Sequence, residues 1–218
     1  MKEGTLYAGR VKKVFAKLRQ SAGETAIPES DDPVLRLAVA ILGIECGDSE
    51  ADLAIKRLLT TMVDWNEVRV SSVEQVLKAM GDRIPQGPER AQQLINALQA
   101  IYEREHRISL DRLRNIGRRE AHDYLLGLDG VDDYGAASVM LWSFGGHAIP
   151  VSDPLLRSLR DAELVHPAAT RAEIQAFLER NVNAAQAKEF CLVMRSFSGH
   201  KKSASRSTKP ARKKSVSK

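Results

Sequence analysis

The chain has 218 residues and a formal net charge of +5, with 43% hydrophobic but only 5% aromatic residues. That length supports one large or two small domains with ample core. Two cysteines, Cys46 and Cys191, exclude a zinc site or an iron–sulfur cluster, which needs about four ligands.

The positive charge is unevenly placed. From His200 onward the chain carries eight Lys or Arg and no Asp or Glu, whereas residues 1–199 carry 25 basic and 28 acidic groups. The segment 200–218 is rich in Ser, Lys, Ala and Pro and has little to bury, so a disordered basic tail is expected there. Lys201, Lys202, Arg206, Lys209, Arg212, Lys213 and Lys214 suit contact with nucleic-acid phosphates through counterion release. The plainer alternative is a solubilising tail. Residues 1–10 lack an apolar core, and no run of about 18 apolar residues exists, so neither a leader nor a membrane span is expected. A cytoplasmic protein is the expectation.

Strand signals are weak. The only β-like run, 148–151, is interrupted by Pro150, so an all-α fold is predicted. Residues 6–19 form the first helix, with Val11, Val14, Phe15 and Leu18 on one face. A turn-rich linker follows. Ser30, Asp31 or Asp32 caps the next helix, with Pro33 in its first turn. Residues 34–44 are apolar almost all round and read as a central buried helix. Asp48 caps a helix to about residue 62, with Leu53, Ile55, Leu58 and Leu59 inward. Ser71 and Glu74 form a capping box for a short helix to Met80. Residues 88–105 form a long amphipathic helix with Ala91, Leu94, Ile95, Leu98 and Ile101 on one stripe. Short helices at 110–115 and 118–126 lead into a hairpin. Beyond it, Ser152 or Asp153 caps a helix with Pro154 near its first turn. Thr170 and Glu173 make another capping box, and the last helix spans about 184–197.

The stretch 125–151, LLGLDGVDDYGAASVMLWSFGGHAIPV, carries the most information. Leu128 and Val131 flank a turn, and Gly130 sits where a positive φ is required. Small residues at Gly135, Ala136 and Ala137 let two helices approach closely. The plain reading is an ordinary αα-hairpin. The sharper one is a helix-hairpin-helix whose turn amides and following helix N-terminus cradle a phosphate.

Three blocks together resemble the endonuclease III-like superfamily of DNA glycosylases. AVAILGIECGDSEADLAIKRL (38–58) is similar to its buried helix, DNA-facing turn and next helix. LDGVDDYGAASVMLWSFGGHAIPV (128–151) is similar to its hairpin, second helix and Gly/Pro loop, and SDPLLRSL (152–159) to its catalytic Asp and following helix. The resemblance spans nearly all of residues 4–199. It implies a two-lobed helix-hairpin-helix DNA glycosylase fold with duplex DNA and a flipped base in the cleft. Residues 31–147 form one lobe with the hairpin, 148–199 a C-terminal helical lobe, and 1–30 pack with that second lobe. No membrane contact and a monomeric state are expected.

Several residues depart from the superfamily pattern. Tyr134 stands at the lyase-lysine position, so strand cleavage through an amine there is not expected. It fits either a base pocket or the core between lobes. The catalytic Asp falls on Ser152, with Asp153 one residue beyond as the candidate carboxylate; either fits a plain N-cap. Asp132 replaces the hairpin's second glycine, and Glu45 occupies the turn where an amide residue often fills the gap left by the flipped base. The hairpin contacts implied are Gly130, Val131, Asp132 and Gly135. The superfamily's four-cysteine cluster loop is missing, so no cofactor and no metal are expected. Two functions follow: a monofunctional DNA N-glycosylase using Asp153, or a catalytically degenerate glycosylase-fold protein acting as a DNA-binding or scaffold module.

Overall fold

The computed structural model describes residues 4–21, 30–46 and 48–204. Among them the helices are α1 (Gly4–Ser21), α2 (Pro33–Gly43), α3 (Asp48–Thr61), α4 (Trp65–Val70), α5 (Val73–Met80), α6 (Gly87–Glu105), α7 (Arg118–Leu126), α8 (Asp133–Trp142), α9 (Asp153–Asp161), α10 (Arg171–Asn181) and α11 (Ala187–Ala204). Single 3₁₀ turns lie at Asp111–Asn115 and Ala184–Gln186, and no strand forms among the described residues.

α2 is the hub. Ten of its 11 residues are buried, because a helix apolar on every side has no face to give to water. Asp32 starts it, its carboxylate accepting from the amides of Val34 at 2.9 Å and Leu35 at 3.4 Å, with Pro33 in the first turn. α3, α6 and α8 surround α2; α5 packs on α3 and α6, α4 on α6, and α7 on α8. A second group forms around α11, which carries α1 and α9 and touches α8. Phe15 meets Phe190 with ring centroids 5.2 Å apart, and Arg19 pairs with Glu189 at 2.6 Å. The chain's first helix thus joins its last. One continuous apolar cluster runs through both groups.

Several local expectations need correction. Leu53 and Leu59 are exposed; the inward face of α3 is Ala51, Ala54, Ile55 and Leu58, the true i, i+3, i+4, i+7 stripe. The capping box before α5 is Ser72 with Gln75, not Ser71 with Glu74. Ser71 closes the unexpected helix α4, its hydroxyl donating back to the Glu67 carbonyl at 2.8 Å. α3 begins at Asp48 itself, and the capping role expected of that side chain lies outside the described residues. The last helix continues to Ala204, so residues 200–204 extend it rather than open a structureless tail. Lys201, Lys202 and Ala204 are good helix formers and favour this extension. Lys201 and Lys202 fall in its final turns, while Arg206, Lys209, Arg212, Lys213 and Lys214 lie outside the described residues. No helix among the described residues is long and apolar enough to cross a membrane.

Candidate functional site

The hairpin is α7, the turn 127–132, and α8. Gly130 adopts φ +79°, and a Cβ there would run into the backbone carbonyl of Gln93 on α6. Both facts demand glycine: the left-handed conformation and the close approach of two backbones. Gly135 faces Leu37 on α2 at ordinary packing distance. A clamp holds the hairpin from outside. Tyr124 on α7 donates to Glu105 at 2.7 Å, and Arg112 adds bonds of 2.9 and 3.1 Å to the same carboxylate. The Arg112 bond holds the Glu105 carboxyl below its ordinary value. Burial, then the Glu105 bond, pushes the Tyr124 phenol up to about 12. Arg104 donates to the Gly127 carbonyl and lies over the Tyr124 ring.

The structure brings Gly130, Val131, Asp132 and Gly135 together, as a phosphate nest requires, but two of the amides are already engaged. The Val131 N–H donates to the Leu128 carbonyl at 3.2 Å. The Gly135 N–H donates to the Asp132 carboxylate at 2.8 Å, which makes Asp132 the N-cap of α8. An anion from the chain's own sequence therefore occupies the start of the helix where an external phosphate would sit. Asp129 accepts from the Asn96 amide at 2.9 Å, and Asp133 stays exposed at the first turn.

The second part of the site forms around the turn after α2. Tyr134 is 5% exposed and clusters with Ala40 and Ile44, the placement of a core aromatic between α8 and α2. The Ile44 carbonyl accepts from the Asp153 N–H at 2.8 Å. Next to Ile44, Glu45 pairs with Arg90 at 2.5 Å, both side chains mostly buried, and Arg90 donates also to the Gln93 side chain at 2.7 Å. Tyr134, Glu45 and Asp153 thus converge on one short turn. Glu45 is held against α6 by its ion pair.

Ser152 caps α9, its hydroxyl accepting from the Leu155 N–H at 3.4 Å. Asp153 therefore has no capping duty. Its carboxylate turns to Arg171 in an ion pair whose two side chains are each 28% exposed. Arg171 also donates to the Val151 carbonyl at 2.6 Å. One guanidinium so fixes both the loop before α9 and the candidate carboxylate.

Arg171 and Arg90 are functional neighbours that the pattern of the sequence did not single out. Arg171 carried one signal. It follows the Thr170 cap directly, at the positive end of α10, where a cation is unfavourable without a partner. Arg90 lies beside an apolar stripe and gave none. The two cysteines sit apart, Cys46 half-buried after α2 and Cys191 buried in α11. No group of three or more His, Cys, Asp or Glu converges among the described residues. The side chains present do not fit a four-thiolate iron–sulfur cluster.

No family model matches the chain, and no curated protein matches it by sequence. Solved structures do. A trapped endonuclease III–DNA covalent intermediate aligns with a TM-score of 0.68 at 16% identity, covering 86% of this chain and 84% of its own. A thermostable thymine-DNA glycosylase aligns at 0.63 and 18% identity, covering 88% and 87%. An 8-oxoguanine glycosylase/lyase from Clostridium acetobutylicum, bound to DNA, aligns at 0.65 and 16%, covering 90% and 70%. The chain has the two-lobed, all-helical fold of the endonuclease III-like glycosylases.

Proposed function

We propose that this chain is a monomeric, duplex-DNA-binding protein of base-excision repair, a diverged member of the endonuclease III-like superfamily that no longer excises bases. One observation carries the loss of chemistry. Asp153, the carboxylate nearest the superfamily's catalytic position, is paired with Arg171, and Ser152 occupies that position as a neutral cap. A carboxylate already neutralised by a guanidinium offers little extra stabilisation to positive charge developing on a sugar. Glu45 and the Val131 and Gly135 amides are likewise satisfied from within the chain. DNA affinity then comes mainly from basic residues, including Lys201, Lys202 and the cations that follow them in the sequence.

The second reading is a monofunctional DNA N-glycosylase. The Asp153–Ile44 backbone bond supports it, since Ile44 also packs with Tyr134, so both candidate residues meet the turn after α2. One assay separates the two. Purified protein is incubated with duplexes bearing a panel of damaged bases, then heated in alkali to cleave abasic sites. The expected outcome is retarded DNA in a binding assay and no cleavage product. A product that disappears in Asp153→Asn would overturn the reading in favour of the glycosylase. Borohydride trapping on an abasic duplex should give no covalent adduct, because Tyr134 has no amine. Removing residues 200–218 should weaken duplex binding and flatten its salt dependence; unchanged affinity would refute the tail's role.

A further inference from the structure

A cavity of about 450 Å³ lies between α7, α8, the loop 146–148 and α10. Arg171 lines it, whereas Asp153 does not. We propose that this groove is a separate binding site for the phosphate monoester of a nucleotide, and that the ligand competes with Asp153 for Arg171.

Charge on the walls supports the phosphate. Arg118, Arg119 and Arg171 all line the groove. Arg118 makes no hydrogen bond or ion pair among the described residues, and Arg119 has only a 4.0 Å contact with Asp123, both side chains well exposed. Such an exposed pair contributes little and yields readily. Planar guanidinium forks match phosphate oxygens two at a time, so three of them in one groove suit a dianion better than a lone carboxylate. Two acids also line the groove. Glu179 is occupied: its carboxylate accepts from the Ile149 N–H at 3.1 Å and the Gln175 amide at 3.0 Å. Asp133 remains exposed and opposes an anion.

The floor supports the nucleoside. Met140, Ala148, Ala172 and Ala176 line it. These side chains offer apolar surface to a base and sugar, and the cavity falls within the range of about 300–1,000 Å³ usual for small ligands.

The coupling follows from one shared side chain. The same guanidinium that lines the groove holds Asp153 and the Val151 carbonyl. A phosphate that takes a share of Arg171 loosens Asp153, and removing the Asp153 charge frees Arg171 for the phosphate. This linkage must be reciprocal. The groove therefore bears on the carboxylate at the candidate site through Arg171.

Calorimetric titration of the full chain with 2′-deoxyadenosine 5′-monophosphate tests the site. Binding is expected, and 2′-deoxyadenosine should bind about tenfold more weakly or not at all, having lost the charge-assisted bonds. The double substitution Arg118→Ala with Arg119→Ala should weaken the nucleotide by about tenfold or more; both side chains are exposed, so the helical circular dichroism should be unchanged. Asp153→Asn should tighten it several-fold. A short single strand with a 5′-phosphate that outcompetes the mononucleotide would assign the site to a strand end; equal affinity would assign it to a free nucleotide. No binding at millimolar nucleotide, or equal binding by wild type and the double variant, would overturn the proposal. Inorganic phosphate binding as tightly as the nucleotide would overturn its nucleoside half.

Discussion

The starts of α8 and α9 invite comparison, because each places an aspartate beside a helix N-terminus and puts it to a different use. At α8 the carboxylate of Asp132 is itself the cap, accepting from Gly135 at 2.8 Å. At α9 the cap is the Ser152 hydroxyl, with a longer 3.4 Å bond, and the carboxylate one residue later turns away to Arg171. A charged cap makes the stronger bond and closes the helix start to other anions. A neutral cap leaves the neighbouring acid free to be claimed by a cation. Residue type alone does not assign an aspartate its task; which neighbour takes the cap does.

Substitutions at the two helix starts would break or sharpen that contrast. Largest should be Gly130→Ala in the turn that feeds α8, costing about 2–4 kcal/mol in urea unfolding, because a methyl group meets the Gln93 backbone at a left-handed residue. A loss below about 1 kcal/mol would mean the turn relaxes away from α6 without difficulty. Arg171→Ala should come next, at about 1–2 kcal/mol, since it strands a half-buried carboxylate and a loop carbonyl. Adding Asp153→Asn should recover part of that loss in a double-mutant cycle; strict additivity would show the pair is not coupled. Asp132→Ala should cost about 1 kcal/mol and Asp132→Asn much less. Ser152→Ala should cost about 0.5 kcal/mol, the smallest of the set. If Ser152 proved worth more than Asp132, the ranking of charged over neutral cap would be wrong here.

Acid sensitivity gives a further check on the hairpin. The Glu105 carboxyl is held below its ordinary value, chiefly by Arg112, so the folded state favours its ionised form. The stability it contributes is present above the ordinary carboxylate range and is lost as pH falls through the lowered value. Unfolding curves of Glu105→Gln should therefore depend less on pH at the acid end than those of wild type. Identical pH profiles would remove Glu105 from the clamp.

Most of the architecture was legible because it rests on local chemistry. The all-round apolar run of α2, the Thr170–Glu173 box and the Gly130 turn each state their structure in a few adjacent residues. What stayed hidden depends on pairs distant in sequence. Asp153 could be named as a candidate carboxylate, but its partner lies 18 residues away on another helix. Glu45 stood out as an acid in a turn, yet Arg90, 45 residues on, decides where it points. Tyr134 had two readings until α2 supplied Ala40 and Ile44 as neighbours. The misplaced capping box came from a different source: two serines in a row, with the first consumed by a helix too short to announce itself.

The hydrogen bond from the Asp153 amide to the Ile44 carbonyl joins the start of α9 to the turn after α2, backbone to backbone. Any movement of α9 away from that turn must lengthen it. That makes one proton a gauge of breathing at this junction. In a deuterium-exchange experiment its lifetime would register how often α9 and that turn separate.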